Sequence, residues 1–388
     1  MLPCKVLAQL GANCINYLWF WCSVFAEGHL DVVRYLVTEA DCDPDVRDDD
    51  QDTPLHTACR YGHLDMAKFL VAEAKCDPNV KNKNGETSVQ IACWSDHLDV
   101  VGYLVNEAHC DPNVKSKRGE TPLHRACREG RPDTVRYLVT EAGCDPNARD
   151  GSEQTPLHWA CRVGDVDVVK YMLTEGHSDP NATDNEGASP LHTASRYGQL
   201  DVVRYLVTEA QCDPNIRNKD EETPIHTACL SGHLDVVKYL VTEAHCDPNP
   251  QTNNGETPLH TAGRKGHLDI VRYLVGEASC DLNARDTNGY TPLHTACSMD
   301  HKGLVAYLLA ECNADPNCTA NNGFTPTSLA ENTEVVKLLL QYGGVSKNLT
   351  KCLLAAQCST LVPEPISSVF VVGRRGSRQE HTDQGTDN

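Results

Sequence analysis

TPLHTACRYGHLDMAKFLVAEAKCDPN, residues 53 to 79, reads as two short helices joined at a glycine. Thr53 suits an N-cap because its hydroxyl accepts from the free amides of the first turn, and Pro54 follows at the first helical position, where a missing N–H costs nothing. His56 stands at the third position, from which a side chain reaches back to the cap as glutamate does in a capping box. Ala58 and Cys59 are small and let a neighbouring helix approach, a free cysteine packing as a small hydrophobe. Gly62 supplies the left-handed conformation that closes many helices. The second helix begins at His63 and Leu64, carries Asp65 in its first turn against the dipole, and lines up Leu64, Ala67, Leu70 and Val71 as an apolar face. No glycine follows it, so Pro78 is its expected stop, with a turn through Gly85 into the next unit.

The same block returns. Its first position falls at Thr53, Thr87, Thr121, Thr155, Ser189, Thr223, Thr257, Thr291 and Thr325, a constant step of 34 residues. A fixed period in this range marks a stacked-repeat architecture. Asp96 and Asp300 replace the closing glycine in two units, and aspartate is among the few side chains that tolerate that conformation.

The strings T-P-L-H-x-A, G-H-L-D-V-V-x-Y-L and N-x-x-x-x-x-G-x-T-P resemble the signature of the ankyrin repeat over residues 28–343, most of the chain. The resemblance implies an all-α repeat solenoid: helix–turn–helix–hairpin units stacked into a curved array, whose first helices and hairpin tips line a concave surface that usually binds proteins. The common ankyrin unit has 33 residues with G-A-D near its end, whereas this chain writes A-x-C-D-P and gains one residue after the second helix, as at Ala74-Lys75-Cys76. A modified terminus of that helix is expected there. The domain layout reads as a degenerate segment at 1–27, a repeat domain at 28–344 with eight regular repeats plus degenerate caps, a capping segment at 345–362 and a disordered tail at 363–388. Residues 1–27 admit three readings: a worn first repeat, a signal-like stretch around the apolar run from Ile15 to Ala26, or a mis-assembled start. That run is too short to span a bilayer.

Cysteine usage needs separate weighing. His56/Cys59, His124/Cys127, His158/Cys161, His226/Cys229 and His294/Cys297 repeat an H-x-x-C string. A structural zinc needs four ligands in paired spacings, and a nucleophilic thiol needs a base and an orienting group. Each string supplies two groups, and Ser195, Gly263 and Gln90 replace its members in otherwise normal units, so packing is the expected role and a metal- or redox-active protein the rival. A second series, Cys42, Cys76, Cys110, Cys144, Cys212, Cys246 and Cys280, follows the same period. Periodic single thiols fit packing better than pairing and imply a reducing compartment, cytoplasmic or nuclear, rather than a secreted disulfide framework.

The formal net charge of −20 argues against a nucleic-acid partner. No phosphate loop or paired catalytic carboxylates appear, so no enzyme, cofactor or small-molecule substrate is expected, and the chain reads as a monomeric, non-catalytic scaffold or adaptor that binds another protein. The alternative reading is the recognition arm of a larger enzyme or receptor, in which near-uniform repeats would look the same. The binding residues are sought where the repeat departs from itself, because packing demands are alike in every unit. Ile91, Arg125 and Trp159 replace the usual threonine after the histidine, and Trp94 stands where Arg60, Arg128, Arg162 and Arg196 stand elsewhere. Tryptophan and arginine most often dominate binding energy. Trp94, Arg125, Arg128, Trp159 and Arg162 are therefore the expected centre of a concave binding patch, flanked by Tyr61 and Tyr197. For most of the arginine row and the acidic row before T-P, solvated surface ion pairs are the plainer reading.

Overall fold

The computed structural model describes residues 24–345. The expectations for residues 1–23, for the capping segment beyond residue 345 and for the tail lie outside the described residues. Among the described residues every regular element is helical. Short first helices, from Pro54–Arg60 to the shortened Pro326–Leu329, alternate with second helices, from Leu30–Thr38 to Thr333–Gln341. Helix packs on helix in succession along the chain, which makes the molecule an all-α repeat solenoid. Successive first helices lie closer to one another than successive second helices do. A stack that is tighter on one side bends toward it, so the first helices line the concave side.

The histidine that recurs in most units explains how units hold together. The Thr53 amide donates to His56 Nδ1 at 3.1 Å, and the Thr53 hydroxyl lies 2.8 Å from the same nitrogen. His56 Nε2 faces the Glu86 carbonyl of the following repeat at 3.2 Å. A carbonyl only accepts, so Nε2 carries the proton and Nδ1 accepts. The bridge recurs from His124 to Gln154, His158 to Ala188, His192 to Glu222 and His226 to Glu256. Gln90 makes it without a ring: its Oε1 accepts from the Thr87 amide at 3.1 Å and its Nε2 donates to Glu120 O at 2.7 Å. Burial holds His56, His124, His192 and His226 down at about 4, so these rings are neutral in the fold.

A second histidine row bonds in the other direction. His97 Nε2 meets Arg60 O at 3.1 Å, His233 meets Arg196 O at 3.1 Å and His301 meets Arg264 O at 2.9 Å, each in the preceding unit. The ring lies on the glycine that closes that unit's first helix: a Cβ added at Gly232, where φ is 88°, would sit 2.7 Å from the His267 ring. This explains the two aspartate exceptions. Where Asp96 replaces glycine, the next unit has Arg131 rather than histidine, and Asp96 instead accepts the Thr134 hydroxyl at 3.0 Å. Asp300 accepts from the amides of Glu331 and Asn332 at the start of the last helix.

The stop of the second helix differs from the expectation. Pro78 is not what ends it. Lys75 already takes φ 63°, as do His109 at 55°, His177 at 51°, Gln211 at 53° and His245 at 53°. The Cys110 amide then reaches back six residues to Leu104 O at 2.9 Å, and the Ala108 amide five to Tyr103 O at 3.0 Å. The extra residue of the 34-residue unit widens the last turn so that these carbonyls are satisfied by a left-handed residue that is almost never glycine. The second cysteine series anchors the exit, with Cys144 Sγ donating to Pro112 O at 3.2 Å and Cys280 Sγ to Pro248 O at 3.4 Å in the preceding unit. Hairpin tips are stitched likewise, the Lys117 amide to Asn84 O at 2.9 Å and the Lys219 amide to Glu186 O at 3.0 Å.

Candidate protein-binding surface

The concave face is built from the exposed side of the first helices and the hairpin residues before each Thr-Pro. In three units the arginine of the first helix pairs with the acid eight residues before it: Arg60 with Asp52 at 2.5 Å, Arg128 with Glu120 at 3.8 Å and Arg264 with Glu256 at 3.0 Å. Those carboxylates sit at the mouth of the hairpin, and Asp52 and Glu120 are buried. Burial raises the Glu120 carboxyl above the usual range, opposed by the neighbouring Arg128.

Trp94 is 40% exposed, beside a recess of about 230 Å³ lined by Arg60, Glu86, Ile91, Trp94 and Arg125. Arg125 lies largely buried at one wall, paired with Glu86 and with Glu120, the latter at 3.0 Å. One unit further, Trp159 is half-buried and its Nε1 donates to Asp150 at 3.1 Å. The guanidinium carbons of Arg128 and Arg162 each lie 5.2 Å from the Trp159 ring centre, and that of Arg162 lies 4.7 Å from the Tyr197 ring. Thus Arg128, Trp159, Arg162 and Tyr197 form one continuous stack, Trp94 and Arg125 share the neighbouring recess, and Tyr61 stands apart at 50% exposure with its ring near that of His63.

A model of ankyrin repeats (3 copies) matches residues 18–116, 74–150, 142–218, 210–286 and 278–351. The chain belongs to the ankyrin repeat family. No match was found among the curated proteins. Ankyrin repeats are in general protein-interaction modules and typically non-catalytic, and among the described residues no helix is long and apolar enough to cross a membrane.

The Cys/His rows take their place in this ankyrin scaffold. The bridging histidines have both ring nitrogens engaged by protein groups, so neither faces a metal. Among the described residues no three His, Cys, Asp or Glu side chains converge as metal ligands. Cys59, Cys93, Cys127 and Cys161 are buried free thiols, and desolvation pushes each well above the usual thiol range, against formation of the nucleophilic thiolate.

Sequence reading passed over Asp150 and the carboxylate clamp on Arg125. Asp150 belongs to a periodic position, Asn82, Ser116, Asp150, Asp184 and Asn218, whose side chain ties the hairpin by accepting from the amide two residues on and, except at Ser116, also from the amide four on, as Asp150 does from Ser152 and Gln154. That period was a readable signal of a turn, but only the fold brings its second oxygen under Trp159.

Proposed function

We propose that this ankyrin array is a non-catalytic scaffold or adaptor, monomeric and cytoplasmic or nuclear, that binds another protein on its concave face through Trp94, Arg125, Arg128, Trp159 and Arg162, with Tyr61 and Tyr197 at the flanks. The observation that carries the reading is the stack of Arg128, Trp159, Arg162 and Tyr197, which is aperiodic in an otherwise periodic molecule. Stacking already fixes these long side chains, so little rotamer freedom is left to lose on binding. Nucleic acid is not the expected partner for a chain of net charge −20. Affinity capture with the full chain, against a chain carrying Trp94→Ala, Arg128→Glu and Trp159→Ala at equal helical content, tests the reading. Partners held by the first and lost by the second are expected; identical captures move the site to another face.

A further inference from the structure

Arginine and acid alternate on the concave face until the middle of the array, where the acid row lapses. Gln154 and Ala188 occupy the positions that in other units neutralise the arginine eight residues later. Arg162 is exposed, and among the described residues it has no carboxylate within 4.0 Å; Arg196 has only the exposed Glu186, at 3.9 Å. The nearby acids are otherwise occupied: Asp150 holds the Trp159 indole, and Asp184 accepts from the amides of Glu186 and Ala188. A guanidinium laid over aromatic rings has its flat surface covered and keeps its in-plane N–H donors, the fork that fits a carboxylate. Arg162 is so laid, over Trp159 and Tyr197.

Resting on the concave reading, we infer that the partner segment is an extended, acidic peptide that places one carboxylate on Arg162 and a second on Arg196. Packed helices lie about 8–10 Å apart, and a chain in the extended polyproline II conformation advances about 3.1 Å per residue with about three residues per turn, so one unit corresponds to about three residues and residues three apart face the same way. The two acids are therefore separated by two residues, in the pattern acid-x-x-acid. The half-buried Trp159 and the exposed Tyr197 receive the intervening apolar or aromatic side chains.

Selection of random linear peptides displayed on phage, against the immobilised full-length chain, reads the preference without presupposing a client. The expected result is enrichment of two acidic residues at that spacing. Affinities of the recovered peptides, by fluorescence anisotropy, fall about tenfold or more with Arg162→Ala and Arg196→Ala, and also with Arg162→Lys, which keeps the charge but loses the stacked fork. Replacing the two acids by their amides in the peptide has the same effect. Thermal midpoints of the variants equal to that of the parent chain exclude unfolding as the cause. Enriched peptides without acids, or acidic peptides indifferent to both arginines, overturn the inference. If such non-acidic peptides are still lost with Trp94→Ala and Arg128→Glu, the concave surface stands and only the acidic partner falls. A selection that enriches nothing, or one insensitive to every concave substitution, sinks both.

Discussion

On the convex face a basic side chain of each second helix lies over an aromatic ring of the next unit: Arg34 over Phe69, Lys68 over Tyr103, Arg136 over Tyr171, Lys170 over Tyr205, Arg204 over Tyr239, Lys238 over Tyr273 and Arg272 over Tyr307. The offset is constant, Gly102 interrupts the row and Ala306 ends it. Among the described residues, the same chemistry appears on the concave face at Arg128, Trp159, Arg162 and Tyr197 alone. Contacts that return in every unit answer the demand every unit shares, which is stacking. Contacts that occur once answer something else, so identical cation–π pairs carry different meanings on the two faces.

The comparison breaks if periodic groups prove dispensable for stability. Acid gives the largest effect expected. Unfolded histidines take up protons as pH falls through about 6.5, whereas the bridging rings His56, His124, His192 and His226 stay neutral down to about 4. The unfolded state then binds more protons, so stability falls with pH between those limits by up to about 1.4 kcal/mol per pH unit for each ring, and levels off below them. Urea midpoints measured from pH 7.5 to 4 check the slope.

Next in size is His226→Ala, expected to cost about 2–4 kcal/mol at pH 7.5, because it opens a cavity and strands the Thr223 amide and the Glu256 carbonyl. His226→Gln sharpens the point. Gln90 makes the same two bonds naturally, so this variant keeps stability within about 1 kcal/mol at pH 7.5 and loses one ring's share of the acid slope. Gly232→Ala follows, with about 1–3 kcal/mol lost to the positive φ and to the His267 ring, read from denaturant midpoints. Smallest is Arg204→Ala on the convex face. Its guanidinium lies over the Tyr239 ring and its pair with Glu243, at 2.6 Å, is exposed, so the thermal midpoint is expected to fall by a small but measurable step, with selected peptides bound as before.

Much of the scaffold was legible because each device is local. The cap at Thr53, the histidine three residues on and the glycine closing the helix lie within one turn or two of each other, and the period counts them. What was not legible spans units. Nothing in T-P-L-H states that the ring's far nitrogen finds a carbonyl thirty residues ahead, as His56 finds Glu86. The exit at Lys75 was misread because a left-handed lysine has no signature, and its glycine counterpart appears only at Gly143. At the candidate site the residue types Trp159 and Arg162 stood out as deviations, but the lapse of the acid row gained meaning only once Arg60–Asp52 and Arg264–Glu256 showed which residue each arginine meets.

The two histidine rows fix how this molecule tolerates change in length. Every bridge spans the same interval, thirty residues forward from His56 to Glu86 and from His226 to Glu256, or thirty-seven back from His97 to Arg60 and from His233 to Arg196. Inserting or excising one whole regular unit leaves each ring opposite an equivalent carbonyl, whereas a single-residue slip separates both rows from their acceptors at once. Growth and loss in whole units is therefore the change in length that such a chain tolerates most cheaply.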